Sequence, residues 1–388
     1  MLHDDGYELS DKSQLVGNSS KLVERAYTLM RRHDFCGVPT RKLRAAHTKD
    51  LGVTTTGGHK RSTVTVRKRI GKASQRARRV GAHARELRSN CKLFNAGAYR
   101  QATYGITAVG ASPPLMNALR KAAANSTGIL NAGRDTSTLI GLTLGRDADP
   151  YTKLRLDQFR SWARILRLNP DLHERITRCW HVKYRRLRAR QERKWDIVKG
   201  PIAATLATFI DIGFSLPHVA SWTTRDNVPV QFDPHNPHEW GDMLSAIRTA
   251  CEISKWEQDQ VPPPDLFAVK AMLDGKLKKG ERADHTICLR ASVGVLPTEQ
   301  VLFDKDIITS HCCRRCGAPN ATLEHHLYMC PKTLADTDDA IVKTRRLVRA
   351  WRSDKYQPSR RSLFIKGLPP LRVPAFPGCI YDLSLIHI

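Results

Sequence analysis

Near the C-terminal end of this 388-residue chain, Cys313, Cys316, a histidine and Cys330 have the types and spacing that hold a tetrahedral metal ion. A C-x2-C pair on a tight turn puts two thiolates on one edge of a tetrahedron, and Gly317 supplies the permissive backbone such a turn needs. Pro319 and Asn320 end the turn. Thr322 or Asn320 can then cap a short helix through Leu323, Glu324 and His325, which delivers an imidazole, and Cys330 before Pro331 closes the site. The pattern reads C-x2-C-x8-H-x4-C through His325, or C-x2-C-x9-H-x3-C through His326. The residues alone leave both histidines open. Three thiolates and one imidazole suit a structural zinc, because four protein ligands leave no position for a substrate.

Charge supplies the second signal. Lys and Arg number 64 against 37 Asp and Glu, a formal net charge of +27. Cations placed at phosphates release condensed counterions, so an excess of this size points to a nucleic-acid partner. The excess is clumped. Between Lys60 and Arg88 lie eleven Lys or Arg and one acid, Glu86. Arg67 and Lys68 lie within this run, and Arg69, Lys72, Arg76 and Arg79 recur at helical spacing, predicting one almost wholly cationic helix face. A second basic helix is predicted over His181 to Lys199, with Lys183, Arg185, Arg186 and Arg188 as phosphate contacts. Tyr184 and Trp195 flank it, either as base-stacking rings or, the reading preferred, as packing residues. Arg314 and Arg315 inside the knuckle are either nucleic-acid contacts or solvated charges beside the metal; both readings stand.

The elements that must position these groups are mostly helices: Leu22 to Arg32, the basic run, Leu115 to Thr127, a helix opened by Asp149-Pro150, Trp240 to Trp256, and Asp338 to Arg352. Leu154, Phe159, Trp162, Ile165 and Leu166 form an apolar stripe that reads as core. Lys49 to Val53 reads as a short extended segment, Thr54 to His59 as a turn, and residues 217–240, with Pro217, Pro229, Pro234 and Pro237, as loop. The fold class is therefore mainly α: a basic helical region, then a small zinc-knuckle module, with irregular basic termini. Composition divides the chain at 1–59, 60–216, 217–264, 265–335 and 336–388. The acidic, polar start lacks the apolar core of a signal peptide, and the best apolar run, Pro201 to Leu216, is broken by Asp211. Ten cysteines without pairing rhythm fit a reducing compartment. These readings predict an intracellular protein, nuclear or cytoplasmic, with no membrane partner.

Catalytic signatures do not emerge. No Tyr-x-Asp-Asp or Phe-x-Asp-Asp hairpin, H-E-x-x-H, G-x-S-x-G or phosphate-binding G-x-x-x-x-G-K-[ST] occurs; Asp338-Asp339 falls at a polar helix start and Asp4-Asp5 in the polar N-terminal stretch. His235-x2-His238 lies in a Pro-rich segment without cysteine partners and makes a weak metal or nuclease motif.

Arg290, Leu296-Pro297-Thr298, the Cys313 to Pro319 run Cys-Arg-Arg-Cys-Gly-Ala-Pro, and Leu323-Glu324-His325 together resemble the C-terminal linker of non-LTR retrotransposon reverse transcriptases. The likeness is to the kind with a restriction-like nuclease. It implies His325 as the fourth ligand. More loosely, Lys49 to Val53 followed by the basic helix is similar to the palm edge that precedes the thumb, and residues 60–216 to a thumb-like region. The resemblance implies a region of an RNA-directed DNA polymerase that grips template RNA and target DNA through its thumb and knuckle. Magnesium would belong only to the intact polymerase. The family's Asp-Asp hairpin would fall before residue 45 and its nuclease after Cys330, and Leu383 to Ile388 resembles a translated sequencing adaptor. The expectation is a reading frame truncated at both ends and inactive alone. A zinc-containing DNA- or RNA-binding regulator without polymerase ancestry is the alternative.

Overall fold

The computed structural model describes residues 14–16, 19–32, 41–43, 47–50, 53–56, 62–86, 91–129, 133–257, 264–354 and 366–368. Asp4-Asp5, Leu51-Gly52, Lys60, Arg61, Arg88 and Leu383 to Ile388 lie outside them. The fold is mainly α, as the periodicity predicts, with three two-stranded sheets among the described residues. No helix there is long and apolar enough to cross a membrane. Contacts gather the chain into two units.

The first unit holds the described residues of Met1–Arg76, Asn95–Leu119 and Lys153–Ala250. His47–Asp50 pairs antiparallel with Val53–Thr56. Thr54 to Thr56 therefore belong to a strand and not to the expected turn, in line with the strand preference of β-branched threonine. The basic helix, Val64–Glu86, begins here and buries Val66, Ile70 and Ala73, three positions on one helical face. The helix Gly200–Ile210 carries no charge and buries every residue from Ala203 to Ile210, as an all-round apolar helix must.

Its core is aromatic. Trp162 stacks on Trp180 with centroids 4.8 Å apart, and Phe209 meets Trp222 at 4.7 Å. Both stacked indoles find acceptors: Trp162 donates to the Val219 carbonyl and Trp180 to the Leu216 carbonyl, each at 2.9 Å. Trp222 and Phe232 come from the Pro-rich segment expected to be loop. That segment instead carries an antiparallel hairpin, Ser221–Thr223 with Pro229–Gln231, whose Trp222 is only 1% exposed. The second basic helix also differs from expectation. It runs His173–Arg188, and Gln191–Ile197 forms a separate 3₁₀ segment whose Lys194 is drawn inward to Asp211 at 2.7 Å.

The second unit holds the described residues of Ala77–Phe94, Arg120–Thr152 and Cys251–Ile388. Within it the basic helix continues through Gly81, where any β-carbon would stand 2.2 Å from the Asn125 carbonyl oxygen. Only glycine allows that approach. Asp135 caps the helix Thr136–Thr143 by accepting the Thr138 N–H at 3.0 Å. Asp149 is buried, yet its carboxylate takes Arg120 through two nitrogens, at 3.1 and 3.2 Å, and Lys255 at 3.7 Å. A buried charge persists only with such partners. Helices Phe267–Lys278 and Arg282–Ser292 lead to the knuckle, and Asp339–Asp354 follows it.

Candidate metal centre and cationic faces

Local chemistry builds the knuckle in sequence order. Thr298 accepts the Val301 N–H and caps the short helix Glu299–Phe303. The Gln300 N–H then donates to the Ala321 carbonyl and the Ala321 N–H to the His311 carbonyl, tying this helix to the knuckle turn. In the turn, the Cys313 N–H donates to Ala318 and the Gly317 N–H to Cys313, both at 2.8 Å. Gly317 holds φ 74°, the left-handed conformation that favours glycine. Thr322 accepts the His325 N–H at 3.1 Å and opens the next turn.

That turn, His325–Met329, is π-helical: the Cys330 N–H reaches back five residues to the His325 carbonyl at 2.7 Å. Residues five apart on an α-helix are rotated by about 140°, away from a common point. The wider turn closes that gap and lets H-x4-C present both side chains to one place. Single π turns of this kind recur at functional sites.

Donor atoms of Cys313, Cys316, His325 and Cys330 all lie within 4.8 Å of one another. Cys316 Sγ is 3.3 Å from His325 Nε2, and Cys313 Sγ is 4.0 Å from Cys330 Sγ. Cys313, His325 and Cys330 are buried. This Cys3His cluster can bind a metal ion. Its protons are unevenly held. Burial pushes the Cys330 thiol up, but the Thr333 N–H and hydroxyl, with the Cys316 and Cys313 thiols, outweigh it and bring Cys330 down to about 6. At Cys316 the Ala318 N–H pulls down, while burial and the Cys313 and Cys330 sulfurs prevail and raise it.

Of the two histidines the sequence left open, His325 stands among the donors. His326 does something the sequence did not reveal. Its Nε2 lies 2.7 Å from a Glu299 carboxylate oxygen and its Nδ1 3.9 Å from Cys313 Sγ, linking a carboxylate to a donor sulfur. Such outer partners orient the groups that touch a metal. The only sequence signal for Glu299 is its place after Leu-Pro-Thr, at the start of a capped turn. On the other side, Tyr328 stacks on Trp351 at 5.3 Å and 7°, and the Trp351 indole N–H donates to Glu324 at 2.9 Å. The helix Asp339–Asp354 is thereby docked on the knuckle.

The predicted phosphate contacts divide. On Val64–Glu86, Arg67, Lys68, Lys72, Arg76 and Arg79 are exposed, whereas Arg69 is half-buried and donates to the Tyr104 carbonyl at 2.7 Å. On His173–Arg188, Arg185, Arg186 and Arg188 are exposed and Lys183 is half-buried. Arg175 and Arg178, not singled out by sequence, extend that exposed face. In the knuckle, Arg314 is 74% exposed and 4.0 Å from Glu299, while Arg315 is held by Thr333 at 3.0 Å and Asp336 at 3.7 Å. No family model, curated protein or solved structure matches the chain.

Proposed function

We propose that this chain is the nucleic-acid-gripping region of a non-LTR retroelement reverse transcriptase, an RNA-directed DNA polymerase, acting in the nucleus or cytoplasm. We further propose that its Cys3His cluster holds a structural zinc. The observation that carries the reading is the joining of two of its resembling motifs in one small assembly. The helix capped by Thr298 of Leu296-Pro297-Thr298 delivers Glu299 to His326 beside Cys313. Zinc suits the donor set. Zn–S near 2.3 Å and Zn–N near 2.0 Å give tetrahedral edges of about 3.8 Å between sulfurs and about 3.5 Å between sulfur and nitrogen. The corresponding separations here are 4.0 and 3.3 Å. Soft thiolates favour zinc over magnesium or calcium, and a bound ion would hold the turn around Gly317 to the π turn.

In this reading the exposed cations of Val64–Glu86 and His173–Arg188, with Arg314, bind phosphates of template RNA and target DNA. No catalytic carboxylate is assigned to the chain; magnesium belongs to the intact polymerase. The test is affinity for RNA and DNA against salt. Each phosphate contact contributes about 0.9 to the log–log slope on duplex DNA and about 0.7 on single strands. Reversing Lys68, Lys72, Arg76 and Arg79 to Glu should weaken binding and flatten the slope together. An unchanged slope in a folded variant removes the reading. Sequencing the genomic locus separates it from a host regulator, which would have no Asp-Asp polymerase hairpin in frame upstream.

A further inference from the structure

We propose that Tyr104 is a stacking platform for an unpaired base, so that this part of the cationic surface takes single-stranded nucleic acid. The inference rests on the nucleic-acid reading above and names its substrate class. It begins with a contrast between two tyrosines of one segment. Tyr99 is 2% exposed and donates its hydroxyl to Asp157 at 2.9 Å, which is how a packing tyrosine behaves. Five residues later Tyr104 is 56% exposed. It sits just past the helix Arg100–Thr103, fixed by Gly105 at φ 71°.

Its exposed ring is backed by a cation. The Arg69 guanidinium lies 5.0 Å from the ring centroid, and the same side chain donates to the Tyr104 carbonyl at 2.7 Å. Two turns along the basic helix, Arg76 Nη1 lies 3.7 Å from where a β-carbon of Gly97 would stand. The pairs Arg69 with Tyr104 and Arg76 with Gly97 place the two segments antiparallel, seven residues apart on each. Between these anchors Ala73 is fully buried, while Lys72 and Arg100 are exposed. The result is an aromatic face held in place by arginine and flanked by cations within one or two helical turns.

Single strands are bound by this combination: cations track the phosphates and an aromatic ring receives a base face, whatever the base. The Arg69 guanidinium is attracted to the ring quadrupole and so helps to hold the ring in place. In a duplex the base faces are occupied by their neighbours, so the ring has nothing to receive there.

The experiment measures anisotropy of labelled, unstructured RNA and DNA strands of about a dozen nucleotides, within the usual site sizes. A duplex of the same length is measured beside them across a salt series. Tyr104→Ala should weaken single-strand binding about 5- to 100-fold, the worth of one stacked base. Its salt slope should not change, and duplex affinity should stay within about twofold of wild type. Tyr104→Trp should retain single-strand affinity. Tyr104→Leu, which keeps apolar bulk against Arg69 but has no π face, should behave as Tyr104→Ala and guards against loss of fold. Lys72→Ala should flatten the slope for both forms. Single-strand affinity unchanged in folded Tyr104→Leu, or lost equally for strand and duplex, overturns the proposal and leaves the nucleic-acid reading standing. Steep salt dependence missing from the wild-type chain on every probe overturns both.

Discussion

The tryptophan core of the first unit and the knuckle of the second solve the same problem with different means. Around Trp162, Trp180 and Trp222 the chain removes large apolar side chains from water, the dominant favourable term in folding. The knuckle has a smaller reserve, Tyr328 against Val348 and Trp351. Around its donors the buried cluster is Cys313, Ala321 and Cys330, with Cys316 against it. Groups that would be costly to bury unpaired are gathered at one point, which makes sense if an ion satisfies them. One region should therefore be indifferent to metal and sensitive to cavities, and the other the reverse.

The sharpest way to break that comparison is Cys316→Ser. Structural zinc contributes on the order of 10 kcal/mol to small folded domains. Zinc by elemental analysis should fall from one per chain towards none, and amide signals of His325–Met329 should lose their dispersion. The tryptophan core should keep its urea midpoint. If that midpoint collapses too, the two regions are not independent. Trp180→Ala is the mirror experiment. It should cost about 3–5 kcal/mol in urea unfolding, the usual range for a buried large aromatic, with zinc content unchanged. A smaller effect is expected from Glu299→Gln, which weakens the hold on His326. Metal affinity should drop about 10- to 100-fold in competition with a chromophoric chelator, while the core is unmoved. An unchanged affinity would mean that His326 needs no carboxylate to sit beside Cys313. Smallest of all, Arg178→Ala removes an exposed pair with Glu174 at 3.4 Å and should change stability by only about 0.3–0.5 kcal/mol. A loss above about 1 kcal/mol would show that this face is more tightly held than an exposed helix pair should be.

What sequence could read was local. The knuckle donors, the Gly317 turn, the Thr322 cap and the basic helix follow from spacings of a few residues, and each has a direct counterpart in the fold. What it could not read was closure over distance. Glu299 meets His326 across 27 positions, and Trp351 meets Glu324 across another 27. Spacing alone left His325 and His326 open; the resemblance implied His325, and a π turn that no periodicity announces sets it among the donors. Proline misled over residues 217–240, because it marks where backbone ladders break, not where burial ends. Charge misled over His181 to Lys199, where continuous basic composition hid a helix end at Arg188 and a lysine turned inward to Asp211.

The stack of Trp351 on Tyr328, with the indole N–H on Glu324, also gives the molecule an optical gauge. Glu324 immediately precedes His325, so any loosening of the metal loop changes the hydrogen bond and the ring packing that set this indole's emission. The chain has seven tryptophans, and a ¹⁹F-indole label assigned by Trp351→Phe would pick out this one. Its resonance would report, in the intact protein and without touching the donors, whether the knuckle is closed.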